Sequence, residues 1–260
     1  MNILAYADDL VLIADDKDSL AFLYNKLKDG MENLKLLINK NKSKCMIFER
    51  PTSRLGIKEL RLGEDILEVV DHYKYLGHVI QNQLMDNLDA KQRLNDFNGR
   101  FNNVFRNFKN VSLETLLYLF DAFCLPDYGL CLWNLGTILS KQIFRIFNTS
   151  FSNALKRILD VPLCSSSHAT ANICDHFLLR HHLIHVQARH MKRMICSKNN
   201  LLKLCRPYIK SGYICSSLSE IFENKYNVNF FSCDLEILRS RLTWVQRHEE
   251  SRAQYDFYGI

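Results

Sequence analysis

The chain has 260 residues, 47% of them hydrophobic and 24% charged, with a formal net charge of +6. That balance is ordinary for a folded protein, and four prolines and nine glycines leave little room for disordered linkers. No apolar run approaches the roughly 20 residues of a bilayer span and the N-terminus has no basic signal-peptide region, so no membrane is expected and the chain reads as intracellular, in nucleus or cytoplasm alike. The nine cysteines include no CxxC pair, which excludes a zinc knuckle or thioredoxin-type motif and leaves them as reduced, small hydrophobes. The positive charge is compatible with a polyanionic partner without requiring one.

The chain opens with "AYADDLVLIADD", residues 5–16, in which Asp8 and Asp9 stand between two apolar runs. Ile3-Leu4 and Leu10–Ile13 read as strands of a hairpin, with the aspartates at its turn. Such a pair is either a solvated turn or a metal site. In the second case hard carboxylate oxygens hold magnesium, and flanking buried strands supply a rigid support. Asp15 and Asp16 read as the solvated start of the following helix, with Asp18 or Ser19 as its cap. Leu20, Leu23, Tyr24, Leu27, Met31, Leu34 and Ile38 then recur at spacings of three and four, one apolar helical face.

Cys45–Phe48 predicts a short strand, residues 57–70 two strands joined at Gly63-Glu64-Asp65, and Tyr73–Ile80 a third. Together with the hairpin they imply an antiparallel sheet with a helix on one face, an α+β arrangement. Past residue 85 the pattern turns helical. Leu94, Phe97, Phe101, Val104, Phe105 and Phe108 form an aromatic stripe, with Lys91, Arg93, Arg100, Arg106 and Lys109 mostly off it. Ser112–Leu125 and Ser140–Leu159 are further helices, ended by Pro126 and Pro162, and Ser165–Ser167 is a loop before the next helix. The main boundary falls near residues 82–88 and a softer one near 161–167, giving segments 1–84, 85–162 and 163–260.

Six of the nine histidines lie between His168 and His190. His181 and His185 have the i,i+4 spacing of a helical metal site. However, His181 falls in the stripe Phe177, Ile184, Ala188, Met191 and Ile195, which predicts that it is half-buried. His182, His185, Arg189 and Lys192 share an adjacent face that reads as polar or phosphate-facing.

Several blocks taken together resemble the reverse transcriptases of non-LTR (LINE-like) retrotransposons. "YADD" with its apolar flanks resembles their catalytic hairpin, and "INKNKSKCMIF" the next block, through Asn39, Lys42, Ser43 and Met46. "YKYLGHVI" resembles the primer-grip turn through Tyr75, Leu76 and Gly77. "CLPDYGLCLW" resembles a thumb segment through Pro126, Tyr128, Gly129 and Trp133, and "ALKRILDVP" the basic helix end after it. The resemblance covers about residues 3–162; Lys35 stands where the family often has glycine, and the last hundred residues match only loosely.

The resemblance implies a partial palm (1–84), a helical thumb (85–162) and a helical C-terminal extension (163–260) of an RNA-directed DNA polymerase. This nucleotidyltransferase would act on an RNA template and a DNA primer with Mg2+. Asp8 and Asp9 would be catalytic metal ligands, and Tyr75, Leu76 and Gly77 the primer grip. Lys42 would lie near the leaving pyrophosphate, or be a solvated lysine of a basic loop. Lys91, Arg93, Arg100, Arg106 and Lys109 would line a duplex track. The family's fingers and its first catalytic aspartate lie upstream of YADD, so the expectation is a C-terminal fragment, inactive alone. The alternatives are a non-catalytic nucleic-acid-binding helical module, or a chain that completes a separate upstream polymerase half.

Overall fold

A computed structural model describes residues 3–48, 56–125, 129–200, 202–203 and 234–258, with helices and small sheets in an α+β arrangement. The chain divides into two compact units, residues 1–85 and 86–260.

The first unit begins with the strands β1 (Ile3–Tyr6) and β2 (Asp9–Leu12), paired antiparallel. Helix α1 (Lys17–Asn33) follows. Its cap is Asp16 rather than Asp18 or Ser19: the Asp16 carboxylate accepts from the Ser19 backbone N–H at 2.8 Å and from the Ser19 hydroxyl at 2.8 Å. These bonds hold the Asp16 pKa below its usual value. The helix also ends earlier than the apolar spacing predicts, with Lys35 in the left-handed region at φ 56°. Leu34 and Ile38 therefore fall outside the helical stripe.

Strand β3 is only Lys44–Cys45, shorter than expected, and it pairs parallel with β5. Strands β4 (Glu59–Leu62) and β5 (Asp65–Val69) form the predicted hairpin, turning at Gly63. Gly63 sits at φ +64°, and a Cβ there would lie 2.7 Å from the Asn25 amide oxygen, so a side chain at this turn would force Asn25 of α1 to shift.

The expected third strand of this stretch is instead a further hairpin, β6 (His72–Tyr75) and β7 (His78–Gln81). Among the described residues there are thus three small sheets, one with a parallel pair, where a single antiparallel sheet was expected. The core is correspondingly small: Tyr24, Cys45, Leu60, Leu62 and Leu67.

The second unit holds α2 (Asn87–Phe108), α3 (Leu113–Phe123), a 3-10 turn at Leu130–Leu132, α4 (Leu135–Ile138), α5 (Gln142–Ile158), α6 (Ser167–Ile173), α7 (Leu179–Cys196) and α8 (Leu235–Tyr258). Ser112 and Ser166 cap α3 and α6 with side-chain oxygens. The aromatic stripe of α2 buries Leu94, Phe97, Phe101 and Val104, while Phe108 is exposed. Phe97 is ringed by Phe101, Phe120, Phe147 and Phe151, with centroids 5.6 to 6.2 Å away. Offset and edge-on ring pairs at such distances add to burial itself. Among the described residues one core of thirty buried apolar residues runs from Ala90 to Val245, continuous across residues 162–163. No helix of the described residues is long and apolar enough to cross a membrane.

Candidate functional site

The turn between β1 and β2 is two residues, Ala7 and Asp8, closed by the Tyr6–Asp9 pair. Ala7 carries the turn at φ 52°, a left-handed conformation costing an L-residue roughly 1–2 kcal/mol. Asp8 is thereby at the tip and Asp9 at the first position of β2, both exposed. Alternation along the strands puts Asp9 on one face with Tyr6, Leu4 and Val11, and Leu12 on the other, where it packs on the small core. The flanking strands are not the buried support expected of a metal site. Ile3, Leu4 and Leu10 are about two-fifths exposed, and Tyr6 is 65% exposed.

Two adjacent carboxylates are hard oxygen donors of the kind magnesium takes, with water filling the remaining positions. A two-ion arrangement needs further carboxylates from another strand. Among the described residues no group of three or more His, Cys, Asp or Glu side chains is placed to hold a metal.

The block after α1 is a local turn. Asn39 accepts the Lys42 N–H with its side chain, and its carbonyl accepts both the backbone and hydroxyl of Ser43. The Tyr73 hydroxyl donates to the Lys42 carbonyl at 3.0 Å, tying this turn to β6. The Lys42 side chain itself is exposed. The spacing of Asn39, Lys42 and Ser43 thus has a structural role whatever Lys42 does.

Beside this turn lies a cluster that the sequence did not signal. Asp65, 3% exposed, receives Lys40, Lys28 at 3.2 Å and the Tyr24 hydroxyl at 3.0 Å. Hydrogen bonding from Lys40, against the opposing effect of burial, with Tyr24 and Lys28 adding, lowers the Asp65 pKa to about 2. Burial, then the Asp65 bond and charge, push the Tyr24 hydroxyl up to about 12. Read from sequence, Asp65 was part of a turn; only the packing of α1 over β4 and β5 buries it.

Tyr75, Leu76 and Gly77 lie at the tip of the β6–β7 hairpin. Tyr75 pairs with His78, and Leu76 and Gly77 form the turn at φ 46° and 77°. Positive φ at both central positions is the turn that matches strand twist. Among the described residues the β1–β2 and β6–β7 hairpins are separate sheets, with no ladder of hydrogen bonds joining them.

In the second unit, Pro126 and Tyr128 lie outside the described residues. Gly129, at φ 82°, starts the 3-10 turn, and Trp133 is buried. The Trp133 indole donates to Asp89 at 2.8 Å, while Gln187 donates to the carbonyls of Leu130 and Trp133 at 3.0 and 2.6 Å. These are bonds that fix α2, the 3-10 turn and α7 together.

Of the basic residues assigned to a duplex track, Lys91, Arg100, Arg106 and Lys109 are exposed. Arg93 is not: it is 8% exposed and lies 3.6 Å from the fully buried Asp89, one turn earlier on α2. It belongs to the interior because its position falls on the core side of the helix. Lys91, Arg106 and Lys109 are spaced by close to whole turns and share one side, with Arg100 about half-way round.

His181 is fully buried rather than half-buried. His182 stacks on Phe151 at 6.4 Å and His185 packs on Phe177 at 5.7 Å, so both rings are half-covered and the face is less open than its polarity implied. Comparison with protein families, with curated proteins and with solved structures finds no match to this chain.

Proposed function

We propose that these 260 residues are the C-terminal part of a non-LTR retrotransposon reverse transcriptase, and that the chain alone binds nucleic acid without polymerising it. The observation that carries the reading is the hairpin of residues 3–12, which displays Asp8 and Asp9 at the tip of a two-residue turn. The Asn39–Ser43 turn and the Tyr75–Gly77 turn follow in the family's order and support it. Asp8 and Asp9 would contribute to a magnesium site in the intact enzyme, with Tyr75–Gly77 against the primer. Two carboxylates are too few for the two-ion chemistry of nucleotide transfer. The experiment is primer extension on an RNA template with Mg2+: no extension is expected, and extension lost in Asp8→Ala would contradict the reading.

Two features favour the alternatives. A non-catalytic binding module fits the second unit, whose basic face stands on its own core. A chain completing a separate polymerase half fits the first unit, because Ile3, Leu4, Tyr6, Leu10 and Ile13 are exposed apolar groups that such a partner would cover.

A further inference from the structure

Arg157, exposed on α5, is held in place more firmly than a solvent arginine. Its guanidinium lies 4.5 Å from the ring centre of Phe105 and 5.0 Å from that of Phe101. Its Nη1 also donates to the Asn102 side-chain oxygen at 3.1 Å. The two ring contacts and the hydrogen bond together restrict the side chain, so less rotamer freedom remains to be lost on binding.

A guanidinium cannot accept a hydrogen bond, so the Asn102 oxygen must face Arg157 and its –NH2 group faces away. Asn98, one turn earlier, is arranged likewise: its oxygen accepts the Ser150 hydroxyl of α5 at 2.9 Å. Both residues belong to a stripe made of Lys91, Asn95, Asn98, Asn102 and Arg106 of α2 with Lys109 just after its end, at spacings of three and four. Every member can donate a hydrogen bond and none is acidic. From Lys91 to Lys109 the stripe rises by 18 steps, roughly 27 Å at 1.5 Å per residue, or about eight base-pair steps of duplex.

We infer that this stripe, with Arg157 as its preorganised anchor, contacts the phosphodiester backbone of a nucleic-acid duplex. The inference rests on the nucleic-acid-binding reading above and adds which residues do the work: the amides of Asn98 and Asn102, each held through its oxygen, and an arginine of the neighbouring helix held over two aromatic rings. Recognition of this kind positions the duplex and reads no bases.

The test is fluorescence anisotropy of the full chain with a labelled RNA–DNA duplex of about 12 base pairs, for wild type and three variants. Arg157→Ala should weaken binding on the order of tenfold and lower the salt slope by about one. Asn102→Asp keeps an acceptor for Arg157, and so the fold, but replaces a donor with a negative charge; it should weaken binding at least as much with thermal stability unchanged. Arg145→Ala removes an exposed arginine a third of a turn round α5 from Arg157 and should change affinity less than about twofold. Equal losses in Arg145→Ala and Arg157→Ala, or wild-type affinity in Asn102→Asp, would overturn the stripe while leaving nucleic-acid binding standing. No binding by the wild type would overturn both.

Discussion

Trp133 donates its indole N–H at 2.8 Å to Asp89, a carboxylate with no solvent exposure that also faces Arg93. The bond joins the start of α2 to the segment just before α4, 44 residues later. Leaving a buried charge without its partner costs roughly 3–5 kcal/mol. Asp89→Ala should therefore destabilise the second unit by about that much, and Trp133→Phe by about 1–3 kcal/mol. Urea unfolding followed by helix signal measures both, and a loss below about 0.5 kcal/mol for Asp89→Ala would show that the carboxylate is dispensable.

His176 gives the second unit a dependence on pH. Its Nε2 lies 2.6 Å from Asp121 on α3, and its Nδ1 2.6 Å from the Cys174 carbonyl. Burial lowers the pKa, but the Asp121 bond and charge, with Cys174 and Asp175, outweigh it and raise the value above the ordinary 6.5. A raised folded-state pKa means that the stabilisation is complete below about 6.5 and fades as pH rises through the folded value. Thermal midpoints should fall from about pH 6 to about pH 8.5 in the wild type, and fall less in Asp121→Asn. Parallel profiles for the two proteins would remove His176 as the cause.

Asp65 has the opposite sign. Its pKa is depressed to about 2, so its contribution to the first unit is present above its ordinary 3.8 and is lost as pH falls through the folded value. Asp65→Asn should flatten the acid limb of that unit's unfolding, read by amide exchange of β4 and β5. An unchanged acid limb would mean that Lys40, Lys28 and Tyr24 do not depend on the charge.

A side chain at Gly63 should be costly. At φ +64°, with the Asn25 oxygen 2.7 Å from the Cβ position, Gly63→Ala combines a strained backbone with a contact that Asn25 must move to relieve. The strain alone is roughly 1–2 kcal/mol, and the first unit should lose at least that in protection from exchange. Full protection of β4 and β5 in the variant would show that the turn shifts without penalty.

The two units should also differ in protection. Among the described residues, five buried apolar residues hold the first and thirty the second. Hairpin 3–12 has its strands largely exposed and unpaired on their outer edges, which are templates for other chains. Its amides should exchange well before those of Leu94–Val104 in α2, at a concentration where the chain is monomeric. Equal protection would mean that the hairpin has cover of its own.

The features readable from sequence were those set by local chemistry. The α2 stripe is periodic because one helical face must be apolar, and the turn at Gly63 follows from residue types that accept positive φ. Residue types alone read the β6–β7 turn as part of a strand, because Leu76 takes a conformation that leucine rarely adopts; only the family resemblance suggested a turn at Tyr75–Gly77. Arg93 and Asp65 were misread for a different reason: a charged residue is assigned to solvent until its burial is known. Asp89 lies one helical turn before Arg93, but only packing buries that pair, and only packing brings Lys40 and Lys28 to Asp65. Arg157 could be found in the basic end of α5, but its stack on Phe101 and Phe105 exists only once α5 lies against α2.

The salt dependence of nucleic-acid binding tests the central claim most directly, which is that the helical unit grips phosphates without help from the polymerase residues. Lys91, Arg106, Lys109 and Arg157 supply four exposed cations to one face. At about 0.9 per neutralised phosphate, log affinity against log salt should fall with a slope of about −3 to −4. The slope and affinity should be the same in a chain carrying Asp8→Ala and Asp9→Ala. A slope near zero, or binding that disappears when the two aspartates are removed, would contradict the account.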